Sequence, residues 1–88
     1  MKLAKANGGS VNHVYCSVRC GRCKTILVLK YLGVHDGREE YDIPDSCPVF
    51  FKMRCSNVEC REIIQYTRND VEVIAFPESP PSDFVEQF

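Results

Sequence analysis

An all-β fold of antiparallel strands, with little or no helix, is what the sequence predicts, and three observations carry it. Short segments alternate apolar and polar residues at a period of two, or run as brief β-branched and aromatic stretches. No 3.6-residue apolar period persists over about ten residues or more. Two closely spaced cysteine pairs, Cys20-Gly21-Arg22-Cys23 and Cys55-Ser56-Asn57-Val58-Glu59-Cys60, stand between those segments as hooks.

The chain of 88 residues is long enough for one core and too short for two. A segment of this size buries only about 60% of its unfolded surface, so a metal, a disulfide or a partner is needed to secure it. Residues 1–12 read as a flexible lead, with Gly8-Gly9-Ser10 of linker composition. Residues 13–76 hold the hooks and the strand patterns and form the folded domain. Residues 77–88 turn to proline, serine and acid with no basic residue, the composition of an extended, disordered tail.

Taken in order, His13 to Arg19 alternates, with Val14, Cys16 and Val18 on one face and Tyr15, Ser17 and Arg19 on the other, as a half-buried strand does. The first hook follows, its Gly21 expected to relieve a tight turn that aims backbone amides at the sulfurs. Thr25 to Leu32 leaves the hook as a strand apolar on both faces in its first half, which predicts the central position in the sheet. Gly33 to Ser46 is a polar excursion in which Asp36-Gly37 either closes a hairpin or bends a long loop. Cys47 to Arg54 resumes strand character and feeds the second hook. Beyond it, Glu62 to Thr67 reads as a strand, Arg68-Asn69-Asp70 as a turn, and Val71 to Phe76 as the returning arm of a hairpin.

Four thiolates in two short loops are what a tetrahedral zinc ion requires, each loop supplying two sulfurs. Six cysteines are also compatible with a secreted disulfide framework. Against that reading, Met1 to Ser10 has no apolar core of signal-peptide length, and the longest aliphatic run, Ile26-Leu27-Val28-Leu29, is far too short to span a bilayer. An intracellular, reducing setting is therefore expected, where paired thiols serve as metal ligands. Cys20, Cys23, Cys55 and Cys60 are the expected ligands of one structural zinc.

The order strand, hook, strand, excursion, strand, hook, hairpin resembles the zinc ribbon class, whose members hold one structural zinc between two hooks at the tips of antiparallel strands. The text Cys16-Ser17-Val18-Arg19-Cys20-Gly21-Arg22-Cys23-Lys24-Thr25-Ile26-Leu27-Val28, with Met53-Arg54-Cys55 later, is similar to the N-terminal zinc finger of plant YABBY transcription regulators. Small phage zinc-ribbon regulators are similar more loosely. The excursion here is longer than in the YABBY family, the second hook is wider, and no later stretch resembles that family's DNA-binding region. The resemblance implies the zinc ligands and no biological role.

Cys16 and Cys47 have two readings each. Cys16 is either a buried thiol acting as a small hydrophobe or a substitute for Cys20 or Cys60 in the metal shell. Cys47 either lies unused at a strand edge or forms a disulfide with Cys16. His13 and His35 are ligand candidates by residue type alone, and each reads as an ordinary histidine.

No enzymatic activity is expected. Neither histidine opens the His-x-Glu pair that zinc deaminases require, a closed four-thiolate shell leaves no position for water, and Cys20-Gly21-Arg22-Cys23 is followed by strand formers instead of the helix a redox pair would open. Net charge is −1, but Arg19, Arg22, Lys24, Lys52, Arg54 and Arg61 gather around the hooks. That basic surface either meets nucleic-acid phosphates, with Tyr15, Tyr31 or Tyr66 stacking on bases, or offsets the charge of the thiolates. In the tail, Phe84, Val85 and Phe88 punctuate an acidic segment as a docking motif for a protein partner does. A sheet edge offers a route to a homodimer. The sequence thus points first to a non-enzymatic structural-zinc module that presents a rigid β surface to a protein partner, and second to a nucleic-acid-binding zinc ribbon in transcription or translation control.

Overall fold

In the computed structural model, which describes residues 12–37 and 40–88, five strands form two antiparallel sheets. β1 (His13–Arg19), β2 (Ile26–Val34) and β5 (Glu72–Phe76) make the first, in the order β2-β1-β5. β3 (Phe50–Arg54) and β4 (Ile63–Thr67) make the second, a hairpin. A single 3₁₀ turn, η1 (Arg68–Asp70), joins β4 to β5. The all-β expectation is met. The lead of residues 1–12 lies outside the described residues except for Asn12, whose carbonyl accepts the His35 amide at 2.9 Å.

The centre of the three-stranded sheet is β1, not the segment after the first hook. Val14 to Val18 are all buried, so both faces of β1 are covered and the half-exposed reading of this strand is corrected. Tyr15 accounts for the second face: its ring lies 5.3 Å from Tyr31, 6.0 Å from Phe76 and 6.4 Å from Phe84, centroid to centroid. β2 takes the edge, and two register shifts against β1 accommodate its extra length. Leu27 and Leu29, two residues apart on one face of β2, both point inward.

A second correction concerns β5. It pairs with β1, His13 opposite Phe76 and Tyr15 opposite Ile74, and does not fold back on β4. Val73, Ile74 and Ala75 are all buried, so this strand needs cover on both faces, which a two-stranded ribbon cannot supply. Asp36-Gly37 bends a loop: β2 and β3 belong to different sheets, and Gly37 takes φ +91°, open to glycine without strain. β3 starts at Phe50, three residues later than the apolar pattern suggests, because Cys47 closes a turn on the Pro44 carbonyl and Pro48 has no amide to donate.

Alternation holds cleanly in the hairpin. Phe51, Met53, Ile64 and Tyr66 turn inward, with Phe51 opposite Tyr66 and Met53 opposite Ile64. They pack on a core of Cys16, Val18, Leu27, Leu29 and Val71 supplied mainly by the first sheet. Tyr41, from the excursion, closes a smaller cluster over Val14 and Val73, and its hydroxyl donates to Asp36 at 2.8 Å. Among the described residues, no helix is long and apolar enough to cross a membrane.

Candidate metal centre

Each hook is the tip of a hairpin. The first joins β1 to β2 and the second joins β3 to β4, so the two sheets present their tips to each other. Identical closures shape both: the Cys20 amide donates to Thr25 O at 2.8 Å, and the Cys55 amide donates to Glu62 O at 2.8 Å. Within the first, the Lys24 amide reaches back to Cys20 O at 3.0 Å. Within the second, the Arg61 amide reaches back to Asn57 O, also at 3.0 Å.

That correspondence explains how four intervening residues serve where two are usual. The turn proper is Asn57-Val58-Glu59-Cys60, and Asn57 stands where Cys20 stands in the first hook. Its Oδ1 accepts the Glu59 amide at 3.0 Å, doing for the turn what the Cys20 sulfur does in accepting the Cys23 and Arg22 amides. The first cysteine of this hook, Cys55, lies two residues further upstream, just past the end of β3.

Strain falls just after each turn. Lys24 has φ +66° and Arg61 φ +52°, the two non-glycine residues of the described chain in the left-handed region. Gly21 does not occupy that region, and a methyl there would meet Ile64 Cδ1 at 3.5 Å, an ordinary contact. The expected turn-relieving role of Gly21 is thus corrected; the strained positions come directly after Cys23 and directly after Cys60.

All four sulfurs lie within 4.8 Å of one another, with Cys23 Sγ 3.5 Å from Cys55 Sγ and Cys20 Sγ 3.7 Å from Cys60 Sγ. A tetrahedron with zinc–sulfur bonds of about 2.3 Å has edges of ~3.8 Å, so the donor set fits one such ion. None of the six cysteines is in a disulfide.

Protons are unequally held among the four. The Thr25 hydroxyl, 3.1 Å away, and the Thr25 amide bring Cys23 down to about 6. The Cys23 and Arg22 amides hold Cys20 below the ordinary thiol range. Burial raises Cys55. The Glu62 amide favours the Cys60 thiolate, yet burial and the three neighbouring sulfurs prevail and push it to about 12. A divalent cation at the centre would displace the remaining protons and meet sulfurs already aimed by backbone amides.

No protein-family model, curated protein or solved structure matches this chain. The cluster is therefore read from its own geometry: four cysteines positioned to bind a metal ion, with a donor set consistent with zinc. The other two cysteines stand apart from it. Cys16 and Cys47 are buried in the shared core, and burial, followed by the nearness of Cys47, pushes the Cys16 thiol up to about 11. His13 bonds the Tyr31 hydroxyl at 2.8 Å and His35 accepts the Gly37 amide, so both are engaged elsewhere.

The basic residues divide. Arg22 pairs with Glu62 at 2.7 Å, bridging the two hooks, and Arg19 pairs with Glu72 at 3.5 Å. Both pairs are exposed and contribute about 1 kcal/mol at most. Lys24, Lys52, Arg54 and Arg61 make no ion pair with a described residue; Lys52 and Arg54 share the outer face of the β3–β4 hairpin with Phe50. Tyr15 and Tyr66 are buried, so neither is free to stack on a base.

Sequence reasoning missed Tyr66 as a neighbour of the centre. Its ring stacks on Phe51 at 5.8 Å, and burial together with the Cys20 sulfur raises its phenol. Only the alternation of β4, which sends Ile64 and Tyr66 inward together, could have signalled it. In the tail, Phe84 and Phe88 turn toward the chain itself, while Val85 is 70% exposed.

Proposed function

We propose that this chain is a non-enzymatic interaction module whose structural zinc fixes two small sheets as one rigid β surface for a protein partner. The observation that carries the reading is the mutual approach of four sulfurs from two hairpin tips that share no strand pairing. Four thiolates complete a tetrahedron, so the ion has no position for water or substrate and is a poor Lewis acid. Its contribution is to fold: binding free energy becomes folding free energy in a domain this small. The zinc ribbon resemblance, including the YABBY-like first hook, agrees with this use of the metal.

Chelation tests it. Adding a strong chelator to the reduced protein should abolish the cooperative melt and most of the β circular dichroism, and zinc should restore both; an unchanged melt would remove the structural role of the metal.

A second reading, nucleic-acid binding, is favoured by one specific arrangement: Lys52, Arg54 and the exposed Phe50 on one hairpin face, with Lys24 and Arg61 at the hook tips making no ion pair with a described residue. It requires oligonucleotide affinity that falls steeply as salt rises. Absence of binding at low salt eliminates it.

A further inference from the structure

We infer that the outer edge of β2 is a docking site for an extended peptide of aromatic-x-acidic-x-aromatic chemistry, which the chain's own Phe84-Val85-Glu86-Gln87-Phe88 fills in this structure. The inference rests on the interaction-module reading and specifies the partner it takes. β2 is an edge strand, and the backbone groups on its free side point away from β1. Leu29 O accepts the Gln87 amide at 2.8 Å, and the Tyr31 amide donates to Glu86 Oε2 at 3.3 Å. The seated segment thus meets the sheet edge through one main-chain bond and one bond from a β2 amide to its own carboxylate, short of a paired strand.

Side chains supply the selectivity, at a spacing of two. Phe84 stands edge-on to Tyr15 and lines a cavity of about 170 Å³ with Val28, Phe76 and Pro81. Glu86 Oε1 meets Lys30 Nζ at 3.3 Å, and Phe88 packs against the main core. Lys30 is the hub: its ammonium also donates to Phe88 O at 3.0 Å and lies 5.9 Å from the centroid of the Phe88 ring. Val85 and Gln87, between these residues, face solvent. Charge fits the same assignment, because the cation on this edge meets a segment whose charged residues are all acidic.

The seat is held mostly by side chains, with a single bond between main chains, and a partner strand offering more main-chain bonds can take it. Its directional contacts to β2 are one backbone bond, the Tyr31 amide on Glu86, and the Lys30 ammonium on Glu86 and on Phe88 O, and beside it a groove of about 470 Å³ stays open between Ile26, Met53, Arg54 and Val85. Segments with few buried contacts open well below the global unfolding free energy. Once the tail lifts, Leu29 O, the Tyr31 amide and Lys30 are presented together to an incoming strand.

The test uses the full chain and a labelled synthetic peptide with the sequence of residues 81–88. Glu86→Lys sets two ammonium groups against each other and frees the edge; the peptide should bind this variant about tenfold more tightly than the wild type, whose site is filled. Lys30→Glu should lose the peptide, and a peptide with lysine in place of its Glu86 should regain binding to Lys30→Glu. Equal affinity for the wild type and Glu86→Lys, or binding to neither, overturns the proposal. A concentration-dependent dimer of the wild type would hand the groove to a second copy of the chain and overturn the assignment to a different partner. The chelation outcome is independent, so a failure here leaves the structural metal standing, and a failure there leaves the peptide result readable on any folded chain.

Discussion

Asn57 shows how much one side chain decides in the second hook. With Oδ1 holding the Glu59 amide, the turn keeps its shape although the first cysteine of the hook lies two residues away. Asn57→Ala leaves that amide without its acceptor and should lower the unfolding free energy of the metal-loaded protein by about 1 kcal/mol, whereas Asn57→Asp should retain most of it. Urea denaturation of the three proteins checks this, and equal midpoints would contradict it. Cys16 yields a prediction in pH. Its thiol titrates near 9 when unfolded and at about 11 when folded, so between those values the unfolded chain holds fewer protons. Stability conferred by the buried neutral thiol is full below pH 9 and is lost as pH rises toward 11. Unfolding free energies measured from pH 8 to 11 should therefore fall more steeply for the wild type than for Cys16→Ala, and parallel curves would be the opposing result.

Among the elements, the excursion between β2 and β3 depends on a residue outside it. Arg68, at the start of η1, donates from Nη2 to Cys47 O at 2.6 Å, Asp45 O at 3.0 Å and Pro44 O at 3.4 Å, and its amide bonds Val49 O. The planar guanidinium is held ready for these carbonyls, whereas a lysine ammonium would reach them only by ordering a flexible four-carbon stem. Arg68→Ala should cost about 2 kcal/mol in urea denaturation, with Arg68→Lys recovering only part of it; a loss within about 0.5 kcal/mol would show the clamp to be incidental. The strands themselves were legible, because period-two alternation in 13–19, 50–54 and 63–67 is local. Which strand pairs with which was not. The turn Arg68-Asn69-Asp70 invites a hairpin, yet Val73, Ile74 and Ala75 demand burial on both faces, and only the long-range place beside β1 offers it. Lys24 and Arg61, left-handed without being glycine, were equally invisible, because Gly21 drew the attention that turn chemistry gives to glycine.

At the level of the whole molecule, the two sheets meet through a shared core and through the hook tips, where Arg22 and Glu62 also pair across the gap. The grouping of Cys20, Cys23, Cys55 and Cys60 was legible because closely paired cysteines between strand patterns bring their sulfurs together at hairpin tips. The covered second face of β1 and the seated tail were not, because a proline-rich acidic terminus carries no periodic sign of the surface it lies on. Metal analysis of the protein purified under reducing conditions, beside the variant carrying both Cys23→Ser and Cys55→Ser, addresses the account at its centre. One zinc per wild-type chain, and none retained by the double variant, is the result the four-sulfur geometry requires. Wild-type chains without metal, or with any of Cys20, Cys23, Cys55 and Cys60 joined in a disulfide, would contradict it.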